Sequence, residues 1–415
     1  MITADFWFIV LSLFVGVCFY DFIGDNLGFT FIDELLVLYL FVKWLIDGKE
    51  NKEFVVFLSI SFIYLFYGFL FGQNVWRAVL MDYFIEVKPF VAFYCSYSMR
   101  FRLNKEEQCL VRKLCMVLSI LFLPIGIDCI LGGKLVFTIF GHPSRYCTTY
   151  QILGLVYIIF SNHRKEYLKN GALLMALSLL GGRSKAYGFF ALYLFMIYYP
   201  QLLKYRQLLN FKNVLMFIIL VSLVLTVSWQ KVSYYFFTGT QSDEMFARPL
   251  LYVTSLKILA DYPLLGSGLG SYATFASSVY YSPIYYRYGI SNAHGLTPEN
   301  PGFICDTYFP IIAQFGLIGI ILLFFFWKAR IDYANKYRLR GDGFSFFITM
   351  LVFFFFIIEG VADSSFIQNR GVFIMFLLGI MHAKCSKGWK RKLNKIILLL
   401  HLRRTIMAES YNLKY

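Results

Sequence analysis

Charged residues are scarce in this 415-residue chain: they make up 15% of it, whereas hydrophobic residues make up 59% and aromatic residues 20%. A typical soluble domain has about 25% charged residues. The scarcity therefore excludes an ordinary soluble globular protein. The composition instead indicates a protein that crosses a membrane several times.

The sequence also lacks the patterns that metal sites and disulfide frameworks require. Its eight cysteines show no C-x-x-C spacing, and only five histidines occur in the chain. The polar segment at 230–303 contains neither an Asp-x-Asp pattern nor a cluster of histidines and carboxylates. We therefore expect no metal and no cofactor. The N-terminus lacks the basic region of a secretory signal peptide, so we expect the first apolar run to be retained.

Apolar runs long enough to cross a bilayer fill most of the chain. A spanning helix needs ~20 apolar residues, because its backbone polar groups must be satisfied within the segment. Such runs lie near 4–20, 27–46, 54–71, 76–98, 110–131, 148–161, 170–182, 185–200, 212–230, 304–327, 343–362 and 367–383.

This pattern predicts an all-α polytopic membrane protein with about twelve transmembrane helices. We expect one large extracytoplasmic (periplasmic) loop that contains short helices. The predicted divisions are an N-terminal bundle at 1–229, the loop at 230–303, the C-terminal helices at 304–383 and a basic cytoplasmic tail at 384–415.

The loops that are rich in lysine and arginine set the expected orientation, since short cytoplasmic loops hold these residues in excess. Basic loops alternate along the chain, at 43–52, 100–113, 164–169, 204–212 and 328–340. With the tail, they fit one side only if both termini are cytoplasmic. The net charge of +15 is thus explained by topology and by contact with anionic membrane lipids. We expect no nucleic acid as a partner.

Several cations break this rule, because they fall on the expected outer side: Arg145, Arg183, Lys185, Arg248, Lys257, Arg287 and Arg370. They either reach lipid headgroups, pair with Asp243, Asp261 or Asp363, or bind an anion. Two glycines precede Arg183, and Arg248 precedes Pro249 at the predicted start of a helix that ends at Asp261. A helix N-terminus favours an anion, so a phosphate near Arg248 would be held twice.

The rest of the polar segment is rich in glycine and tyrosine. The run GSGLG at 266–270 lacks the strand and acidic partner of a dinucleotide loop, so we expect a turn that lets the backbone approach a ligand or a neighbouring helix. The tyrosines that follow fit either an aromatic belt at the membrane interface or a surface on which sugar rings stack.

Three stretches resemble the bacterial O-antigen polymerase and O-antigen ligase superfamily. The first is GRSKA at 182–186, similar to a small-Arg-small turn of the family. The second is Arg248 with the later run DYPLLGSGLG at 261–270, close to a family signature. The third is DTY at 306–308, which leads to QFGLIG at 314–319. With the predicted spans, the resemblance covers most of the chain.

One departure favours a Wzy-type polymerase over a ligase. Ligases of this superfamily typically place His-Asn where the chain has Cys305 and Asp306. The resemblance then implies a metal-independent glycosyltransferase at the outer face of the bacterial cytoplasmic (inner) membrane. It would polymerise undecaprenyl-pyrophosphate-linked repeat units into O-antigen or a capsule-type polysaccharide. Implied partners are these lipid-linked units, a chain-length regulator and a flippase.

Each candidate residue takes a role from this chemistry. Arginine suits a pyrophosphate leaving group, since its planar fork binds phosphate bidentately and stays charged. An acceptor hydroxyl needs a base. The candidates are Arg183, Arg248, Lys185 and Arg287 for pyrophosphate, Asp306 and then His294 for the base, and Tyr272, Tyr281 and Tyr308 for glycan.

Three alternatives stay open. One is an O-antigen ligase, which transfers polymer to a lipid A core. Another is a transporter such as a lipid-linked oligosaccharide flippase, for which intramembrane Asp82, Glu86 and Lys88 are the best argument. An internal ion pair between Glu86 and Lys88 is the simpler interpretation of these residues. The third is a purely structural membrane subunit.

Overall fold

The computed structural model describes residues 4–48, 50–99, 101, 103–161, 165–198 and 246–383, together with single positions between 215 and 233. The predicted ninth span at 212–230, apart from such single positions, lies outside the described residues. So do the first part of the predicted loop, up to residue 245, and the basic tail at 384–415. All candidate site residues lie within the described part.

Helices make up the ordered framework, and no strand occurs among the described residues. This confirms the predicted all-α class for that part of the chain. The helices are α1 Ala4–Cys18, α2 Tyr20–Leu27, α3 Ile32–Asp47, α4 Lys52–Phe71, α5 Trp76–Met99, α6 Lys105–Ile130, α7 Leu135–Phe140, α8 Pro143–Ile159, α9 Lys165–Ala176, α10 Ser184–Tyr198, α11 Ala247–Asp261, α12 Phe275–Val279, α13 Pro283–Arg287, α14 Gly316–Arg338, α15 Gly343–Gly360 and α16 Asn369–Ala383.

Three of these helices are long and apolar enough to cross a membrane, namely α4, α6 and α15. Only 28% of the apolar window of α4 is buried inside the protein, and its exposed side carries Phe62, Ile63, Phe66 and Leu70. Such a surface is stable only against an apolar medium. The described residues thus support a membrane protein, while twelve crossings stay a prediction.

The start of the tenth predicted span is wrong. The prediction was a helix over 304–327, but α14 begins at Gly316 and is preceded by a 3₁₀ turn at Phe309–Gln314. Gly316, the first residue of α14, has φ +65, so a regular α-helix cannot run through it from residue 304. The residues between 304 and this glycine therefore form turns and a 3₁₀ helix instead of an α-helix.

Charged residues at the two ends of the bundle show how the helices are arranged. At one end, Asp5 of α1 pairs with Lys43 of α3, where the predicted basic loop at 43–52 begins. Beyond the other end of α1, Asp21 pairs with Arg145 of α8 and Arg370 of α16. Cations that break the positive-inside rule are thus gathered opposite that basic loop.

Candidate functional site

A group of charged side chains joins the ends of several helices, and we call it the charged cluster. Its members contact or electrostatically influence one another, and the sections of chain that carry them are far apart in sequence. They are Asp21, His142, Arg145, Arg183, Lys185, Arg248, Asp306, Glu359, Asp363 and Arg370. Arg183 contacts His142 and Arg248 contacts Asp306, and the charges of Lys185 and Asp363 act on both His142 and Asp306.

Lys185 is the most enclosed of the candidate cations. Its Nζ lies 2.5 Å from Glu359 Oε2 and 2.9 Å from Asp363 Oδ2, and its side chain is 11% exposed. A buried cation between two carboxylates is held by partners that would be left uncompensated without it. Lys185 therefore stabilises the packing of these helix ends. Asp363 is one of the carboxylates with which an outer cation was expected to pair.

Arg145 and Arg370 share one carboxylate. Each places a guanidinium nitrogen 2.7 Å from an oxygen of Asp21, which is 7% exposed in its side chain. Arg370 is buried, whereas Arg145 is largely exposed. The shared pair connects α2, α8 and α16, so it fixes the helix ends beside which the remaining cations lie.

Arg248 binds Asp306, which is the residue predicted as the base. Arg248 Nε donates to Asp306 Oδ2 at 2.7 Å, and its Nη2 lies 2.5 Å from the same oxygen. Burial raises the pKa of the Asp306 carboxyl, and the charge of Arg248 opposes that rise. A raised pKa makes the carboxylate a better proton acceptor.

The placement of Arg248 follows local sequence signals. Helix α11 begins at Ala247 and ends at Asp261, as the pattern of Pro249 and of the Tyr262-Pro263 pair predicts. Arg248 therefore lies in the first turn, where the backbone N–H groups have no partner within the helix. This part of the prediction is confirmed.

Two glycines place Arg183 beside the start of α8. Gly182 has φ +63, and a Cβ at Gly181 would lie 2.4 Å from Cys147 Sγ and 3.0 Å from the Pro143 carbonyl oxygen. Only glycine allows this close approach. As a result, Arg183 Nη2 lies 3.3 Å from Nε2 of His142, and Arg183 forms no salt bridge with a carboxylate of the described residues.

The imidazole ring of His142 faces the guanidinium group of Arg183. Partial burial, with the charges of Arg183 and Arg145, lowers the pKa of His142 to about 4. Its Nδ1 accepts a hydrogen bond from the Ser144 N–H at 3.2 Å, so the single proton of the ring lies on Nε2. Two N–H donors then face one another, and an anionic oxygen beside both would satisfy them.

His142 is a residue that the sequence analysis missed. It forms the N-cap of α8, directly before Pro143 at the first helical position. A polar cap followed by proline is a recognised helix start. That signal locates the helix but does not show that Arg183, 41 residues later, will lie against the ring.

The remaining charged candidates lie outside the cluster. Arg287 is exposed and donates to Gln73 Oε1 at 3.1 Å and to the Tyr262 hydroxyl. His294 is exposed and packs against Phe303, with ring centroids 5.9 Å apart. No hydrogen bond or ion pair within the described part of the chain joins His294 to Asp306. The structure thus gives no contact that supports His294 as the second base.

The candidate tyrosines are tied to the protein itself. Tyr272 is 0% exposed and its hydroxyl donates to the Leu251 carbonyl at 2.8 Å. The hydroxyl of Tyr281 donates to the Leu296 carbonyl at 2.5 Å, and Tyr308 is 9% exposed. A ring that stacks on sugar needs an open face, which Tyr272 does not have. Partial exposure leaves Tyr281 as the better glycan candidate.

The glycine turn at 266–270 packs against the protein's own backbone. A Cβ at Gly266 would lie 2.3 Å from the carbonyl carbon of Gln314, and one at Gly268 would lie 2.7 Å from Cα of Gly72. The Gly270 N–H donates to Asp82 Oδ2 at 2.8 Å. The turn therefore approaches neighbouring helices, which is one of the two predicted roles, and the structure shows no ligand site there among the described residues.

Comparison with known proteins assigns no family to the chain. No protein-family model matches it, and no curated protein matches it. Within the residues that the structure describes, no three His, Cys, Asp or Glu side chains lie together as metal ligands. The charged cluster is therefore the candidate site.

Proposed function

We propose that this protein is a metal-independent glycosyltransferase of the bacterial inner membrane that polymerises undecaprenyl-pyrophosphate-linked repeat units. Apolar helices that could span a membrane support the location. The charged cluster, gathered at the end opposite a basic loop, supports an anion site at the outer face. The product would be O-antigen or a capsule-type polysaccharide.

The observation that carries the proposal is the pair of donors on Arg183 and His142. Their nitrogen atoms lie 3.3 Å apart, and neither offers the other an acceptor in the tautomer in which Nδ1 of His142 accepts from the Ser144 N–H and Nε2 carries the proton. A pyrophosphate group presents several anionic oxygens, which accept such charge-assisted hydrogen bonds. A pyrophosphate oxygen would accept a hydrogen bond from each of the two donors. Their arrangement therefore suits an anionic ligand.

In the proposed reaction each of these groups has a role. The acceptor sugar hydroxyl attacks the anomeric carbon, and Asp306 takes the hydroxyl proton. The bond between that carbon and the pyrophosphate oxygen breaks, and its electron pair leaves with undecaprenyl pyrophosphate. Arg183 and His142 stabilise the charge that develops on phosphate oxygens. Arg248 is bound to Asp306 and would hold the base in position.

The expected energies are large enough to matter for catalysis. A hydrogen bond to a charged group contributes about 1.5–3 kcal/mol. A stabilisation of ~3 kcal/mol that exists only in the transition state changes the rate by roughly a hundredfold. Loss of either arginine should therefore reduce chain growth strongly without removing the protein from the membrane.

The direct test supplies the purified protein with a synthetic lipid-linked repeat unit and a metal chelator. We expect a ladder of polymer on a gel, and we expect Arg248→Lys to lose it because lysine lacks the planar fork. Absence of any ladder from the wild type would contradict the proposal, and normal polymer from the variant would contradict the role of Arg248. Transfer of preformed polymer to a lipid A core would favour the ligase.

A transporter is the second candidate, because Asp82 and Glu86 lie buried in one helix. The predicted ion pair between Glu86 and Lys88 is wrong: Lys88 Nζ lies 2.6 Å from both Asp33 and Glu34. Residues two apart face different sides of a helix, which explains the error. Movement of a lipid-linked oligosaccharide across protein-containing vesicles, without polymer formation, would favour this candidate.

A further inference from the structure

A cavity of about 550 Å³ lies between α4, α5, the 3₁₀ turn at Phe309–Gln314 and α14. Its walls are mainly aromatic, and its volume falls within the range of small-molecule sites, about 300–1,000 Å³. Aromatic lining residues include Phe57, Phe90, Tyr94, Tyr308 and Phe326. The cavity is separate from the residues to which the charged cluster assigns chemistry.

Glu86 lines the cavity. Glu86 is 6% exposed, and its Oε1 has no hydrogen-bond partner within the described residues. It forms no salt bridge there either, because Lys88 is held by Asp33 and Glu34. A buried, unpartnered carboxyl is costly unless a ligand supplies the missing partner.

The neighbouring groups do not supply that partner. Asp82, one turn away, carries a like charge and uses its Oδ2 to accept from the Gly270 N–H and from Gln314 Nε2. Tyr308, directly before the 3₁₀ turn, and Tyr83 of α5 also line the cavity. Both tyrosines contribute aromatic surface to the cavity, and neither carries a positive charge that could pair with the Glu86 carboxyl.

The cavity opens toward lipid at one side. Val56 of α4 and Phe325 of α14 line it and are 57% and 56% exposed. At the end where α4 begins, Arg330 is paired with Glu53, so that pair adds no net charge, and Lys52 is exposed. A ligand that enters between Val56 and Phe325 must be soluble in the membrane.

We propose that this cavity binds a lipophilic monovalent cation, an apolar body that carries an amine or onium group. Glu86 supplies the counter-charge, and the aromatic walls supply cation–π contacts and apolar surface. A hydrocarbon chain fits the walls but leaves the Glu86 carboxyl without a partner. This inference is independent of the proposed polymerase activity.

The test measures binding of tetraphenylphosphonium and of tetraphenylborate to the purified full chain in detergent. The two ions have the same shape and opposite charge. We expect saturable binding of the cation, at least about tenfold weaker binding of the anion, and tighter cation binding as pH rises, since protons compete for Glu86. Equal binding of both ions, or no saturable binding of the cation, would overturn the proposal even if no variant folds.

Two matched variants test whether cation binding depends on the Glu86 carboxyl. Glu86→Gln should weaken tetraphenylphosphonium binding by about tenfold or more. Glu106→Gln makes the same chemical change at an exposed position of α6 and should leave binding unchanged. Unchanged binding in Glu86→Gln would overturn the proposal. Polymer formation is measured in the same samples, so that failure of cation binding can be distinguished from failure of the proposed polymerase activity.

Discussion

The glycine turn at 266–270 and the charged cluster differ in what their close contacts leave unsatisfied. In the turn, each close approach is to the protein's own backbone, and the Gly270 N–H has a partner in Asp82. In the charged cluster, the donors of Arg183 and His142 face each other. A glycine-rich loop that resembles a ligand site is thus a packing element here, whereas the facing donors of Arg183 and His142 are the basis of the proposed anion site.

The same contrast appears within the charged cluster. Arg183 and Lys185 are two residues apart, yet Lys185 is enclosed by two carboxylates and Arg183 forms no salt bridge among the described residues. Side chains at neighbouring positions can therefore serve separate purposes. Substitutions should separate effects on the fold from effects on activity.

The largest effect is expected for Gly266→Ala. The new Cβ would lie 2.3 Å from Gln314 backbone, and the residue keeps φ +75, so the variant should lose more than about 4 kcal/mol of stability or fail to fold. Gly289→Ala is the matched control: its φ is +68 but nothing lies within 4 Å, so about 1–2 kcal/mol is expected. Thermal unfolding in detergent measures both, and equal losses would contradict the packing role.

Lys185→Met should destabilise the protein by about 3–5 kcal/mol, because Glu359 and Asp363 would stay buried without a cation. The triple variant with Glu359→Gln and Asp363→Asn should recover most of that loss. The free energy of unfolding of each variant checks this prediction. A Lys185→Met protein as stable as the wild type would show that the lysine does not hold the helix ends together.

Arg183→Gln should lower polymer formation by about a hundredfold while changing the stability by no more than about 0.5 kcal/mol. Arg77→Gln removes an exposed arginine that stacks on Trp76, and it should leave the rate unchanged. Rates from the ladder assay, with thermal unfolding of both variants, give the comparison. Full activity of the Arg183 variant would remove this residue from the site.

The smallest effect is expected for His142→Asn, which keeps an N-cap side chain but removes the titrating ring. The pKa of His142 is about 4 in the fold and 6.5 ordinarily, so the unfolded chain takes up the proton first as pH falls. Its stabilising contribution is present above about pH 6.5 and is lost toward about pH 4. The wild type should therefore lose more thermal stability over that range than the variant, and parallel losses would contradict the depressed pKa.

Local signals predicted several elements from the sequence alone. Helix α11 was expected between Arg248 and Asp261 because Pro249 fits a first turn and Pro263 follows the end. The apolar runs predicted α4, α6 and α15, because hydropathy is also a local property, summed over neighbouring residues. Arg183, Lys185 and Arg248 could be chosen as candidate site residues because they break the positive-inside rule.

Contacts between distant parts of the chain were beyond such signals. Glu359 is 174 residues from Lys185, and no spacing rule connects them. The start of α14 at Gly316 depends on that glycine packing against Gly266, so the apolar run from 304 gave the wrong helix start. The burial of Tyr272 could not be predicted either, because a tyrosine at the membrane interface and a buried tyrosine have the same sequence pattern.

The most direct measurement of the central claim is the affinity of the purified protein for farnesyl pyrophosphate, a short polyprenyl pyrophosphate. If the donors of Arg183 and His142 hold the anion, Arg183→Gln should weaken binding by about tenfold or more, and Arg77→Gln should not change it. Equal affinity of the wild type and the Arg183→Gln variant would contradict the anion site on which the proposed function depends.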